Sequence, residues 1–131
     1  MEKPLVLVVE DDPDIRELAV MALEHGCGFN VHGCADGASA VRLARSLRPE
    51  IILLDWMLPG MDGGQILEAL RADAATTAIP VVFLTAKLLT NEVEHFASLG
   101  AEGVIAKPFD PMTLPLLVWD NLNRARATKA G

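Results

Sequence analysis

Glu50-Ile51-Ile52-Leu53-Leu54-Asp55-Trp56-Met57-Leu58-Pro59-Gly60-Met61-Asp62-Gly63-Gly64 is the stretch on which the reading of the chain turns. Its aliphatic run, Ile51 to Leu54, has no polar position to present to water, which is the pattern of a strand covered on both faces of a parallel sheet. The run ends in a carboxylate, Asp55, followed by turn residues. In open α/β sheets, ligands bind beyond the carboxyl ends of the strands, where loops and helix N-termini gather. Asp55 is therefore expected at a ligand site, and the other strand ends become the next question.

Two more aliphatic runs also end in chemically specific groups. Leu5-Val6-Leu7-Val8-Val9 leads into Glu10-Asp11-Asp12-Pro13, and Val81-Val82-Phe83-Leu84 leads into Thr85-Ala86-Lys87. Gly103-Val104-Ile105-Ala106 ends in Lys107-Pro108-Phe109. Phe29 to Cys34 alternates more, as an edge strand does. Apolar residues at helical spacing separate the strands: Ile15, Leu18, Ala19 and Ala22, then Ala40, Leu43, Ala44 and Leu47, then Ile66, Leu67 and Leu70, then Leu89, Val93, Phe96 and Ala97. Asp12-Pro13 reads as helix cap and first helical residue. A last helix is predicted from about Leu114 to about Ala127, with Leu114, Leu117, Val118, Leu122 and Ala125 on its core face. Leu116 points away from that face and Trp119 lies at its edge, a pattern that suggests a contact surface. Residues 127–131 are expected to be a loose tail. Strands alternating with helices predict an α/β, doubly wound parallel sheet in a single domain.

The 131 residues carry 51% hydrophobic side chains, enough to bury a core, and a net charge of −7 that argues against direct nucleic-acid or anionic-membrane binding. Mean hydropathy is +0.31, yet no run approaches membrane-spanning length, so a cytoplasmic protein is expected. Cys27 and Cys34 lack the spacing of a zinc site or redox pair and read as buried thiols. His25, His32 and His95 share no metal-ligand spacing and read as surface or edge residues.

In a parallel sheet the strand ends lie along one edge, so Glu10, Asp11, Asp55, Thr85 and Lys107 should converge. Three carboxylates at close range repel, and a hard divalent cation with oxygen ligands, Mg²⁺, relieves that repulsion. Lys107 supplies a mobile positive charge and Thr85 a hydroxyl donor, a set that suits a phosphoryl group on Asp55. These residues, with Asp55-Trp56-Met57-Leu58-Pro59-Gly60-Met61-Asp62-Gly63, Thr85-Ala86 and Lys107-Pro108-Phe109 in order, resemble the response-regulator receiver domain of two-component signalling, over about Leu5 to about Arg124.

The resemblance implies a flavodoxin-like (βα)5 fold with strand order 2-1-3-4-5, and a phosphoryl acceptor rather than a metabolic enzyme. It implies that Asp55 takes the group from a sensor histidine kinase or a phosphotransfer protein, and that Asp11, Asp55 and the Met57 carbonyl bind Mg²⁺, with Glu10 reaching it through water. Thr85 would move toward the phosphoryl group, Lys107 would pair with it, and the Lys107–Pro108 peptide would be cis. Met57 and Lys87 stand where the family tunes phosphoryl lifetime, and Val104 stands where it usually has Tyr or Phe. A homodimer or target face is implied on the fourth helix, last strand and last helix. Trp56 is expected to flank the pocket mouth. A dehalogenase-type phosphohydrolase would need an acid two residues after its nucleophile, where this chain has Met57. A receiver that acts by binding alone is the remaining alternative, kept open by Val104.

Overall fold

Each aliphatic run becomes a strand because each finds cover on both faces. A computed structural model describes residues 3–26, 28–86 and 90–130. Its parallel sheet comprises β1 (Leu5–Val9), β2 (Asn30–Cys34), β3 (Ile51–Asp55), β4 (Val81–Thr85) and β5 (Gly103–Ala106) in the order β2-β1-β3-β4-β5. β1 and β3 pair with Val6 opposite Ile51, and β3 and β4 with Ile52 opposite Val81, so the carboxyl ends of the central strands are level. Helices α1 (Pro13–Gly26), α2 (Gly37–Leu47), α3 (Gly63–Ala72), α4 (Thr90–Ser98) and α5 (Leu114–Ala130) alternate with or follow these strands.

Side chains alternate between two cores with the two-residue period of a strand. Val6, Val8, Ile51, Leu53, Val82, Leu84 and Ile105 join Ala19 and Leu23 of α1 and Leu114, Val118 and Leu122 of α5. Leu7, Val9, Ile52, Leu54, Val81 and Phe83 join Ala40 and Ala44 of α2, Ile66, Leu67 and Leu70 of α3, and Phe96 of α4. A fully buried aliphatic side chain contributes roughly 1.5–3 kcal/mol, so this sandwich is the main support of the sheet edge.

Several helix faces are rotated from the expected ones. Leu18 of α1 is exposed while Leu23 is fully buried, and Leu47 of α2 is exposed beyond buried Ala44. Val93 and Ala97 of α4 are exposed, leaving Phe96 as the buried anchor among that helix's described side chains. In α5, Leu117 is exposed and Asn121 is buried in the stripe, its Nδ2 donating to the Leu117 carbonyl at 2.8 Å. The tail is helical rather than loose: α5 continues through Ala127 to Ala130, Thr128 Oγ1 donates to the Arg124 carbonyl at 3.1 Å, and Arg126 pairs with Glu50. Cys34 is a buried free thiol, whereas Cys27, Lys87 and Leu89 lie outside the described residues. No helix is long and apolar enough to cross a membrane among the described residues.

Leu116, largely exposed on α5, and half-buried Trp119 have neighbours beyond α4 and β5. Leu116 borders a groove with Leu18, Met21 and His25 of α1. Trp119 is half-buried and stacked on Phe29, with ring centroids 4.7 Å apart. One helical turn of α5 carries both residues, and that turn packs toward α1. Arg124, two turns beyond Leu116 on the same helix, pairs with Glu102 and Asp120.

Candidate functional site

Backbone pairing carries the ladders one step past the strand ends and fixes the residues found there. The Glu10 amide donates to the Cys34 carbonyl at 3.0 Å, the Trp56 amide to the Leu84 carbonyl at 3.0 Å, and the Lys107 amide to the Thr85 carbonyl at 2.8 Å. Asp12 caps α1, its Oδ1 accepting from the Asp14 and Ile15 amides. Met57-Leu58 folds back on Met61-Asp62 as a short antiparallel ladder. Gly60 turns it at φ +80°, the left-handed value that the residue after proline takes in such a turn.

Glu10, Asp11, Asp12, Asp55, Thr85 and Lys107 line one cleft of about 320 Å³, with Ile15, Met57 and Ala86 as its apolar members. Glu10, Asp55 and Thr85 are buried there. Lys107 Nζ lies 2.6 Å from Glu10 Oε1 and 3.3 Å from Asp55 Oδ2. Asp55 Oδ1 accepts from the Met57 amide at 3.3 Å, and Glu10 Oε2 from the Asp12 amide at 3.1 Å. The Lys107–Pro108 peptide is cis, as expected.

Burial pushes the Glu10 carboxyl up to about 6, an effect that the hydrogen bond from Lys107 and the Asp12 amide oppose and the charge of Asp55 reinforces. For Lys107, burial works to lower the pKa. The hydrogen bond to Glu10 and the nearby carboxylate charges outweigh it and hold the ammonium above its usual range. At neutral pH the lysine is therefore charged and Glu10 mostly so, and the pair persists.

Glu10, Asp11 and Asp55 each offer a carboxylate oxygen, and these atoms lie within 4.8 Å of one another. An all-oxygen donor set at this spacing fits a hard divalent cation. Sequence reasoning brought these residues together correctly but missed Arg16, whose Nη1 donates to the Glu10 carbonyl at 2.8 Å. Its place one turn into α1, beside the acidic loop, was the available signal.

Trp56 does not flank the cleft. It packs on the opposite side, against Phe83 and Phe96 with centroids 5.1 and 4.6 Å apart. Gly63 makes room beneath it, since a Cβ there would sit 2.6 Å from Phe83 and 3.0 Å from Trp56. Val104 is half-buried against the same cluster.

The class is thereby defined: a doubly wound α/β domain with a lysine-closed carboxylate pocket at the carboxyl edge of its sheet. Residues 6–118 match the response regulator receiver domain, and the chain belongs to that family. The chain is 41% identical over 119 residues to the DNA-binding response regulator MtrA of Mycolicibacterium smegmatis, covering 91% of this chain and 50% of that protein. It is 42% identical over 109 residues to the phosphate regulon transcriptional regulatory protein PhoB of Klebsiella pneumoniae, covering 83% of this chain and 47% of that one. It thus spans about half the length of these curated relatives. Among solved structures, the chemotaxis response regulator CheY4 of Vibrio cholerae superposes with a TM-score of 0.85 at 28% identity, over 91% of this chain and 98% of CheY4. The Francisella response regulator 1452 receiver domain gives a TM-score of 0.84 at 29% identity, over 93% and 98% of the two chains. The chain is a signalling module of the two-component type, whose members act with histidine kinases.

Proposed function

We propose that Asp55 is the phosphoryl acceptor, taking the group from the phosphohistidine of a sensor histidine kinase or a phosphotransfer protein. The supporting observation is the cleft itself: a buried carboxylate on the central strand, 3.3 Å from a lysine ammonium and grouped with two further carboxylates. One Asp55 oxygen attacks phosphorus, the P–N bond breaks, and its electron pair stays on the imidazole nitrogen, leaving an acyl phosphate. Lys107 follows the developing charge on a phosphoryl oxygen, and the Thr85 hydroxyl donates to another.

Glu10, Asp11 and Asp55, with the Met57 carbonyl, would hold Mg²⁺, Glu10 through a water. Bound Mg²⁺ offsets the mutual repulsion of the carboxylates and draws charge from the phosphoryl oxygens. Met57 and Lys87 stand at the lifetime-tuning positions, and Met57, with no strong hydrogen-bonding group, cannot orient an attacking water, which favours a long-lived phosphoryl group. With Val104 in place of an aromatic, switching would run through Thr85, Lys87 and the fourth helix. We read the domain as a cytoplasmic switch without turnover of a separate substrate. With a net charge of −7 it acts on proteins rather than directly on nucleic acid. A homodimer through α4, β5 and α5 would draw on Glu102, Asp120 and Arg124, with exposed Leu116 on the same stripe of α5 and Trp119 beside it.

Incubation with acetyl phosphate and Mg²⁺ followed by intact mass tests the reading. One added phosphoryl group on the wild type and none on Asp55→Asn is the expected result; a modified Asp55→Asn, or an unmodified wild type, overturns it.

A further inference from the structure

We propose that Arg16 is a positioning residue for the carboxylate cluster, and that Gly33 lacks a side chain so that Arg16 can cross β2 to reach the acidic loop. The inference rests on the Mg²⁺ reading of the cleft.

Arg16 Nη1 donates to the Glu10 carbonyl at 2.8 Å, and the Glu10 amide donates to the Cys34 carbonyl at 3.0 Å. Both backbone groups of Glu10 are thereby tied. The peptide plane joining Glu10 to Asp11 is held from its oxygen side by Arg16, and that plane sets the direction from which both carboxylates leave the backbone. Arg16 forms no ion pair with a carboxylate among the described residues, so its grip on the loop is through the carbonyl.

Gly33 supplies an independent observation. A Cβ at this position would sit 3.3 Å from both Cγ and Cδ of Arg16 and 3.4 Å from Val20 Cγ2. The backbone of Gly33 is not left-handed; Gly28, Gly60 and Gly100 are the described glycines at positive φ. A glycine inside a strand ordinarily weakens it and marks close approach of another group. Here the group that approaches is the arginine stem.

Two outcomes separate positioning from plain charge. Arg16 is a cation, and if its charge alone mattered, removing it would tighten Mg²⁺ binding. If it positions the ligands, removing it weakens binding, about tenfold as is typical for groups that orient metal ligands. Mg²⁺ would be titrated into wild type, Arg16→Ala, Arg16→Lys and Gly33→Val, following amide NMR shifts of residues 10–12 and 55–57, with amide exchange at Glu10 and Asp11 measured metal-free. Arg16→Ala and Gly33→Val are expected to weaken binding and speed exchange, the latter while retaining the arginine charge. Arg16→Lys is expected to recover part of the affinity. Wild type that binds Mg²⁺ while Arg16→Ala binds equally well or better overturns the inference alone. A normal Gly33→Val beside a weakened Arg16→Ala overturns the part given to Gly33. Wild type that binds no Mg²⁺ overturns the metal reading and the inference with it.

Discussion

Replacing Asp55 by asparagine is expected to stabilise the metal-free protein. Carboxylate oxygens of Glu10, Asp11 and Asp55 lie within 4.8 Å of one another. At an effective dielectric of about 20, two unit charges at that spacing repel by roughly 3.5 kcal/mol, so neutralising Asp55 relieves about twice that against its two neighbours. The substitution forfeits attraction to Lys107, whose Nζ is 3.3 Å from Oδ2. That attraction amounts to about 5 kcal/mol at the same dielectric. The difference of about 2 kcal/mol falls toward about 1 because Asp11 is exposed and its share is screened by water and salt. Asparagine keeps Oδ1 as acceptor for the Met57 amide, so that 3.3 Å bond is retained. For a chain of this size the gain corresponds to roughly 3–8 °C in Tm. Thermal and urea melts in EDTA measure it. An Asp55→Asn variant that melts at or below wild type, with an unchanged denaturant slope, refutes the picture of a self-repelling cluster. Added Mg²⁺ should narrow the gap, because a ligand bound by the folded wild type stabilises it by mass action.

Met57→Asn is expected to shorten the phosphoryl lifetime from minutes or more by giving water a hydrogen-bonding partner, read by loss of the phosphorylated mass with time; an unchanged decay counts against the role of Met57. Cys34, buried and with its thiol pushed up to about 11 chiefly by burial, should resist alkylation at pH 8 in a Cys27→Ser variant. Because only the thiolate reacts, its labelling rate should rise about tenfold per pH unit up to that value, and labelling at the rate of a free thiol at pH 8 would contradict this burial. Phe96→Ala removes the buried anchor of α4, whose ring lies 4.6 Å from Trp56 and 5.2 Å from Phe83. A loss of about 3–4 kcal/mol is expected, with amide exchange in α4 accelerating more than in α2 or α3. Uniform acceleration across the three helices would show that α4 is not held in this way.

The strands and their ends were legible because doubly covered strands leave continuous aliphatic runs, and a parallel sheet then aligns those ends without further information. Ile51 to Asp55 and Val81 to Thr85 are buried throughout. Helix faces were less legible. Leu18 and Leu117 fit the expected stripes yet stand exposed, because apolar residues on those helices outnumber the positions that the sheet covers, and neighbouring elements decide which are chosen. Trp56 carried an unused signal: it is in phase with Ile52 and Leu54, both of which face the cluster formed by α2, α3 and α4. The helical tail follows from alanine and arginine, both strong helix formers, with the Arg126–Glu50 pair fixing its approach to the sheet. Arg16 was harder to find because its partner is a backbone carbonyl, so its place one turn into α1 beside the acidic loop was the one signal available.

Lys107 connects these observations. Its shorter contact is with Glu10, whose extra methylene relative to aspartate carries Oε1 to 2.6 Å from the ammonium, while Asp55 is held at 3.3 Å. In the proposed reaction Asp55 gains a phosphoryl group bearing up to two negative charges, which outcompetes a single carboxylate for the lysine. Glu10, 1% exposed, would then lose its main counter-charge in a place where desolvation already disfavours its ionised form. Either a proton or a cation must compensate, and the cleft offers the cation its ligands. In the proposed reaction, metal occupancy and a movement of Lys107 toward Asp55 would thus be linked through one carboxylate.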